Sequence, residues 1–90
     1  MVDYKVVENL LLRILSILVG VFSESEANEV TEFINAGEYG LALDTLIDII
    51  DEESKSVPQE VVELAKQTAI AMNLDGIVMK KRLEGVVSAK

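Results

Sequence analysis

Residues 33 to 46 read Phe33-Ile34-Asn35-Ala36-Gly37-Glu38-Tyr39-Gly40-Leu41-Ala42-Leu43-Asp44-Thr45-Leu46, and this stretch decides the fold. It has the grammar of a tight helix–turn–helix. Asn35-Ala36-Gly37 ends one helix, with glycine supplying the left-handed residue just past its last turn. Glu38 starts the next, Tyr39 folds over the turn, and Gly40 or Ala42 lets the two helices approach closely. Upstream, Ser23 is followed three residues later by Glu26, a capping box in which the hydroxyl accepts from the third helical amide while the glutamate reaches back to the cap N–H. A second helix therefore begins at Glu24 and turns Ala27, Val30, Phe33 and Ile34 inward. The third runs from Glu38 to about Glu53, with Leu41, Ala42, Leu46, Ile49 and Ile50 inward.

Before the capping box, residues 6 to 22 are mostly apolar. Glu8, Asn9 and Arg13 interrupt them, so the uninterrupted run is well short of the ~18 to 20 residues that span a bilayer. Asp3 cancels Lys5, and Phe22-Ser23-Glu24 is no cleavage site, so a secretory signal is not expected. Lys5, Glu8, Asn9, Arg13, Ser16 and Gly20 recur every three or four residues and form one narrow polar stripe. A helix apolar round the rest of its circumference is the buried centre of a bundle or half of an oligomer interface. Both the bundle and a homodimer through the first helix follow from this pattern.

Downstream, Pro58 falls in the first turn of a fourth helix, where its missing N–H costs nothing, and Ser56 with Gln59 is a second capping-box candidate. Val61, Val62, Leu64, Ala65, Ala69 and Met72 form its core face. Asn73-Leu74-Asp75-Gly76 breaks the pattern, and Asp75 is placed to cap a short last helix from Ile77 to Val87. There is no Cys and only four aromatic residues in 90, so the core must be made of Leu, Ile, Val and Ala. At about 100 to 200 residues per domain, residues 1–90 form a single domain. The expected fold is all-α, a compact bundle of four to five short helices around a mostly buried N-terminal helix. Leu11, Leu15, Leu18, Phe33, Leu46 and Leu64 should be central.

Charge is distributed unevenly. The formal net charge is −8, which argues against direct nucleic-acid binding, since phosphate contacts are supplied by Lys and Arg. Residues 1 to 22 are neutral, residues 23 to 63 carry twelve acids against Lys55 alone, and residues 64 to 90 are net basic. On the third helix Asp44, Asp48, Asp51 and Glu52 follow at i, i+4, i+7 and i+8, one stripe of like charge. Each i,i+4 repulsion costs about 0.2 to 0.5 kcal/mol, and Asp51-Glu52-Glu53 also sits at the negative end of the helix dipole. Stability alone would have mixed lysine into this stripe. Two readings follow: a solvated face that keeps the chain soluble, or a docking surface whose one-signed field steers a basic partner.

Catalysis and metal binding find little support. The absence of His removes the commonest catalytic base and metal ligand. Asp44 and Asp48 on an exposed stripe lack the apolar pocket that would split their pKa values for acid–base work. The stretch from Asp44 to Glu53 has none of the ligand spacing of an EF-hand. No phosphate-cradling glycine run, nucleophile elbow or zinc signature is present. The chain is not expected to be an enzyme, to hold a metal or to need a cofactor.

The helix–turn–helix shares its Gly-acid-Tyr turn and following Ala-Leu with tetratricopeptide repeats, but a period near 34 residues should reproduce the signature elsewhere, and it does not. The longer pattern is an apolar first helix ending in Phe-Ser, then EVTEFINAGEYGLALDTLIDIIDEE, a Val-Pro-led helix, AMNLD and a short basic tail. Over about residues 5 to 85 it resembles the small all-helical immunity proteins of bacterial polymorphic toxin systems, of the MafI type and of contact-dependent growth inhibition. The matching turn residues are Ala36, Gly37, Glu38, Tyr39, Leu41, Ala42 and Leu43, chiefly scaffold. The chain departs from the pattern in its last element, where Gly76-Ile77-Val78-Met79 and Lys80-Lys81-Arg82 stand in place of an aromatic.

The resemblance implies a cytoplasmic inhibitor of a cognate toxin domain, often an RNA-cleaving nuclease. Such toxins are basic because they hold a polyanion, so charge points to the same partner. From charge, the expected toxin-binding residues are Glu38, Asp44, Asp48, Asp51, Glu52 and Glu53. Two other classes stay open: an adaptor or dimerisation domain using the apolar first helix, and an antagonist of a DNA-binding protein using its acids as a nucleic-acid mimic.

Overall fold

The computed structural model describes residues 2–53 and 55–73. Among them are four helices and no strand: α1 (Tyr4–Ile17), α2 (Glu24–Asn35), α3 (Tyr39–Glu52) and α4 (Gln59–Ala71). The all-α bundle is as expected. The last helix expected from Ile77 to Val87 lies outside the described residues.

Helix boundaries follow local chemistry. Asp3 caps α1, its carboxylate accepting from the amides of Lys5 at 3.1 Å and Val6 at 3.4 Å. The helix ends at Ile17. Gly20, expected on its polar stripe, instead lies in the following turn at φ +92°, a conformation that favours glycine. The amides of Val21 and Phe22 both donate to the carbonyl of Leu18 there. The capping box forms as expected: the Glu26 amide donates to Ser23 Oγ at 3.1 Å and the Ser23 amide to Glu26 Oε1 at 2.9 Å.

The α2–α3 turn is a Schellman motif. Glu38 N–H donates to Phe33 C=O at 2.9 Å and Gly37 N–H to Ile34 C=O at 3.0 Å, with Gly37 at φ +76°. This pairing satisfies carbonyls that a helix end leaves orphaned. Glu38 is the N-cap of α3, one residue before the helix proper. Ser56 with Gln59 does not form the second box. Pro58 is itself the N-cap of α4, at φ −64° and ψ 152°, and, having no side-chain acceptor, makes no side-chain cap; Gln59 instead bonds Glu63 one turn on.

The helices pack as two pairs. α2 and α3 form a sequential hairpin, while α1 lies along α4, and contacts of α1 with α2 and α3 and of α3 with α4 close the core. Arg13 near the end of α1 pairs with Glu60 at the start of α4 at 3.3 Å, which fixes the α1–α4 pair as antiparallel. Val7, Leu11 and Ile14 of α1 and its C-cap Leu18 are buried, together with Val30 and Ile34 of α2, Leu43, Leu46, Ile47 and Ile50 of α3, and Val61, Val62, Leu64 and Ala65 of α4.

Three core expectations are corrected. Leu15 and Phe33 are packed against the core but only partly buried. Leu41 is 48% exposed, and Leu43 and Ile47 take inward positions on α3 beside Ala42, Leu46 and Ile50, because α3 must face α2, α1 and α4 together. Among the described residues a Cβ at Gly40 would meet nothing within 4 Å, so Gly40 is not a close-approach site; of the two small residues expected there, it is Ala42 that is fully buried. Along α1 burial is confined to one face, leaving Val6 and Leu12 exposed on the other.

Candidate functional site

Core packing determines where the acids of α3 stand. With Ala42, Leu43, Leu46, Ile47 and Ile50 inward, a 100° step per residue turns Asp44, Asp48, Asp51 and Glu52 to the outer side. Asp44, Asp51, Glu52 and Glu53 are exposed and Asp48 is half-buried. No basic residue occupies the last turn of α3, so three successive acids end it against an unfavourable dipole. On the neighbouring α2, Glu24, Glu29 and Glu32 are exposed as well.

Glu38 does not belong to this face. It sits at the opposite end of α3, a 14-residue helix, and therefore ~21 Å along the axis from the terminal acids. The six expected toxin-binding residues thus divide into five along and at the end of one outer ridge and one at the α2–α3 turn.

Lys55, the lone base among residues 23 to 63, is committed elsewhere. Its ammonium lies 3.2 Å from Glu26 Oε1 and 5.9 Å from the centre of the Phe22 ring, and its amide donates to Ile50 C=O at 2.9 Å. Glu26 is correspondingly held below its ordinary carboxylate pKa, chiefly by the Ser23 backbone N–H, which outweighs the opposing desolvation that comes next, with Lys55 adding to the lowering. This carboxylate is a structural joint.

Around Glu38 is a feature that sequence reasoning missed. Tyr4 of α1 stacks on Tyr39 of α3 with ring centres 5.8 Å apart and planes at 26°. Beside them opens a cleft of about 460 Å³, lined by Val2, Tyr4, Glu38, Tyr39, Leu41 and Met72, with Gly37 and Gly40 contributing backbone. Tyr39 was expected over the turn; its ring partner, Tyr4, lies 35 positions away in sequence, beyond the reach of any local signal.

Among the described residues no group of three or more His, Asp or Glu side chains is arranged to hold a metal ion, and no helix is long and apolar enough to cross a membrane. No protein-family model, curated protein or solved structure matches this chain.

Proposed function

We propose that this protein is an immunity protein that binds and neutralises a cognate toxin domain, most simply a basic nuclease, through the acidic outer face of α3. The observation that carries the proposal is the exposed run Asp51-Glu52-Glu53, which ends α3 with no base in its last turn and lies on the outer side that Asp44 and Asp48 share. A nuclease that grips a polyanion offers a positive groove, and a ridge of one sign complements that groove and accelerates encounter. The inhibitor works by occupancy in the cytoplasm, without catalysis or cofactor. The sequence resemblance to polymorphic-toxin immunity proteins supports the same reading.

The test is co-expression with the C-terminal domain of a secreted effector, should the neighbouring upstream reading frame encode one; the absence of such a neighbour would itself count against the proposal. Expected is survival of cells carrying both, and inhibition of RNA cleavage when the purified proteins are mixed at equal concentration. Growth arrest despite stable co-expression overturns the proposal.

A second reading is favoured by one observation. Val6 and Leu12 of α1 are 45% and 44% exposed, apolar area on the outer side of α1 that a homodimer or adaptor contact would cover. Sedimentation separates the readings: an apolar self-association holds or tightens as salt rises, whereas an electrostatic complex weakens.

A further inference from the structure

We infer that the cleft at the α2–α3 turn is an arginine-receiving pocket, in which Glu38 pairs with a guanidinium of the basic partner while the Tyr4–Tyr39 stack and Leu41 hold the residue's stem and an apolar neighbour. The inference rests on the proposed function only in taking the partner to be basic.

Three observations converge. Tyr4 is 60% and Leu41 48% exposed, so the core leaves an aromatic face and a large aliphatic side chain at one opening. Leu41 was expected inward; its place on the cleft wall gives that exposure a use. Glu38 lines the same opening and, although it holds the N-cap position of α3, makes no side-chain cap bond there. Its carboxylate is therefore not consumed by the helix it precedes.

An aromatic face beside a carboxylate is the pair of features a planar guanidinium uses, stacking on the ring while its N–H fork meets the carboxylate. Lysine, a compact and strongly hydrated charge, satisfies the second feature and gains less from the first. The start of α3 opposes a cation, with a dipole equivalent to roughly +0.5 charge. Glu38 carries a full negative charge at the same end, which exceeds the partial positive charge of the dipole. The sum favours a cation. The cleft volume of about 460 Å³ exceeds that of one side chain and admits the apolar neighbour as well.

The test needs no toxin. The intact protein, isotopically labelled, is titrated by NMR with the peptide acetyl-Gly-Leu-Arg-Leu-Gly-amide and with versions carrying citrulline, lysine or norleucine at the centre. Expected is saturable perturbation confined to Tyr4, Tyr39, Gly40, Leu41 and Glu38, with the citrulline peptide at least about tenfold weaker, because it keeps the shape and loses the charge-assisted bond. Glu38→Gln should weaken the arginine peptide equally, and Tyr4→Ser, at an exposed site, should weaken arginine more than lysine. Asp51→Asn, at the far end of α3, should leave the titration unchanged. Equal binding of citrulline or norleucine, indifference to Glu38→Gln, or perturbations that follow the α3 ridge would each overturn the inference. Because protection by the α3 acids is measured separately in cells, either result can fail alone.

Discussion

Glu26 Oε1 lies 2.9 Å from the Ser23 backbone nitrogen and 3.2 Å from Lys55 Nζ, so one oxygen closes the capping box of α2 and anchors the segment that follows α3. Glutamine can keep the first bond but not the ion pair. The carboxyl pKa is lowered in the fold, so its contribution to stability is present above the ordinary value of 4.5 and is lost as pH falls through the lower folded value. Urea titrations of the parent and Glu26→Gln should differ at neutral pH and converge progressively below pH 4.5. A difference that stays constant through the acid range would show that the charge has no part in it.

Gly37 in the α2–α3 turn and Gly40 in the first turn of α3 should respond oppositely to alanine. Gly37 stands at φ +76°, where a Cβ is strained, and Gly37→Ala should destabilise by about 1 kcal/mol. Gly40 is helical with open space around its Cβ position, so Gly40→Ala should be neutral or stabilise by up to about 1 kcal/mol. Thermal melts of the two variants check the pair.

Leu46 and Leu41 lie on one helix and differ in burial, 0% against 48% exposed. Leu46→Ala should cost about 2 to 5 kcal/mol, enough to unfold much of a domain this small. Leu41→Ala should stay within about 0.5 kcal/mol. Chemical denaturation followed by circular dichroism reads both, and a similar loss in each would contradict the rotation of α3 in the core.

Why Leu41 was misread follows from the composition of α3. Apolar residues occupy positions 41, 42, 43, 46, 47, 49 and 50, more than one face can hold, so periodicity leaves the rotation of the helix undetermined by about one residue. Packing against α1, α2 and α4 chooses the face through Leu43 and Ile47. The capping box at Ser23 and the turn at Gly37 were legible because each is complete within a few residues. Ser56 does not cap because α4 begins two residues later than a Ser56 box requires: Pro58 holds the cap position and Gln59 is the first helical residue, not the third. On the acidic ridge, Asp44, Asp48 and Asp51 lie on the outer side under either rotation, whereas Glu52 moves from the flank to the outer side with the observed one. The Tyr4–Tyr39 stack had no local signal.

Relieving charge at the end of α3 should separate folding from docking. In Asp51→Asn/Glu52→Gln/Glu53→Gln, three acids at the negative end of a helix dipole become neutral, and the melting temperature should hold or rise. A clear fall in melting temperature would mean that these side chains serve the fold.

The most direct test of the acidic ridge is the affinity of that same triple variant for the toxin domain, measured against salt beside the parent. The account requires slower association, weaker binding and a shallower salt dependence in the variant, with loss of protection in cells although the free protein is at least as stable. Unchanged affinity, salt dependence and protection in a folded triple variant would contradict it.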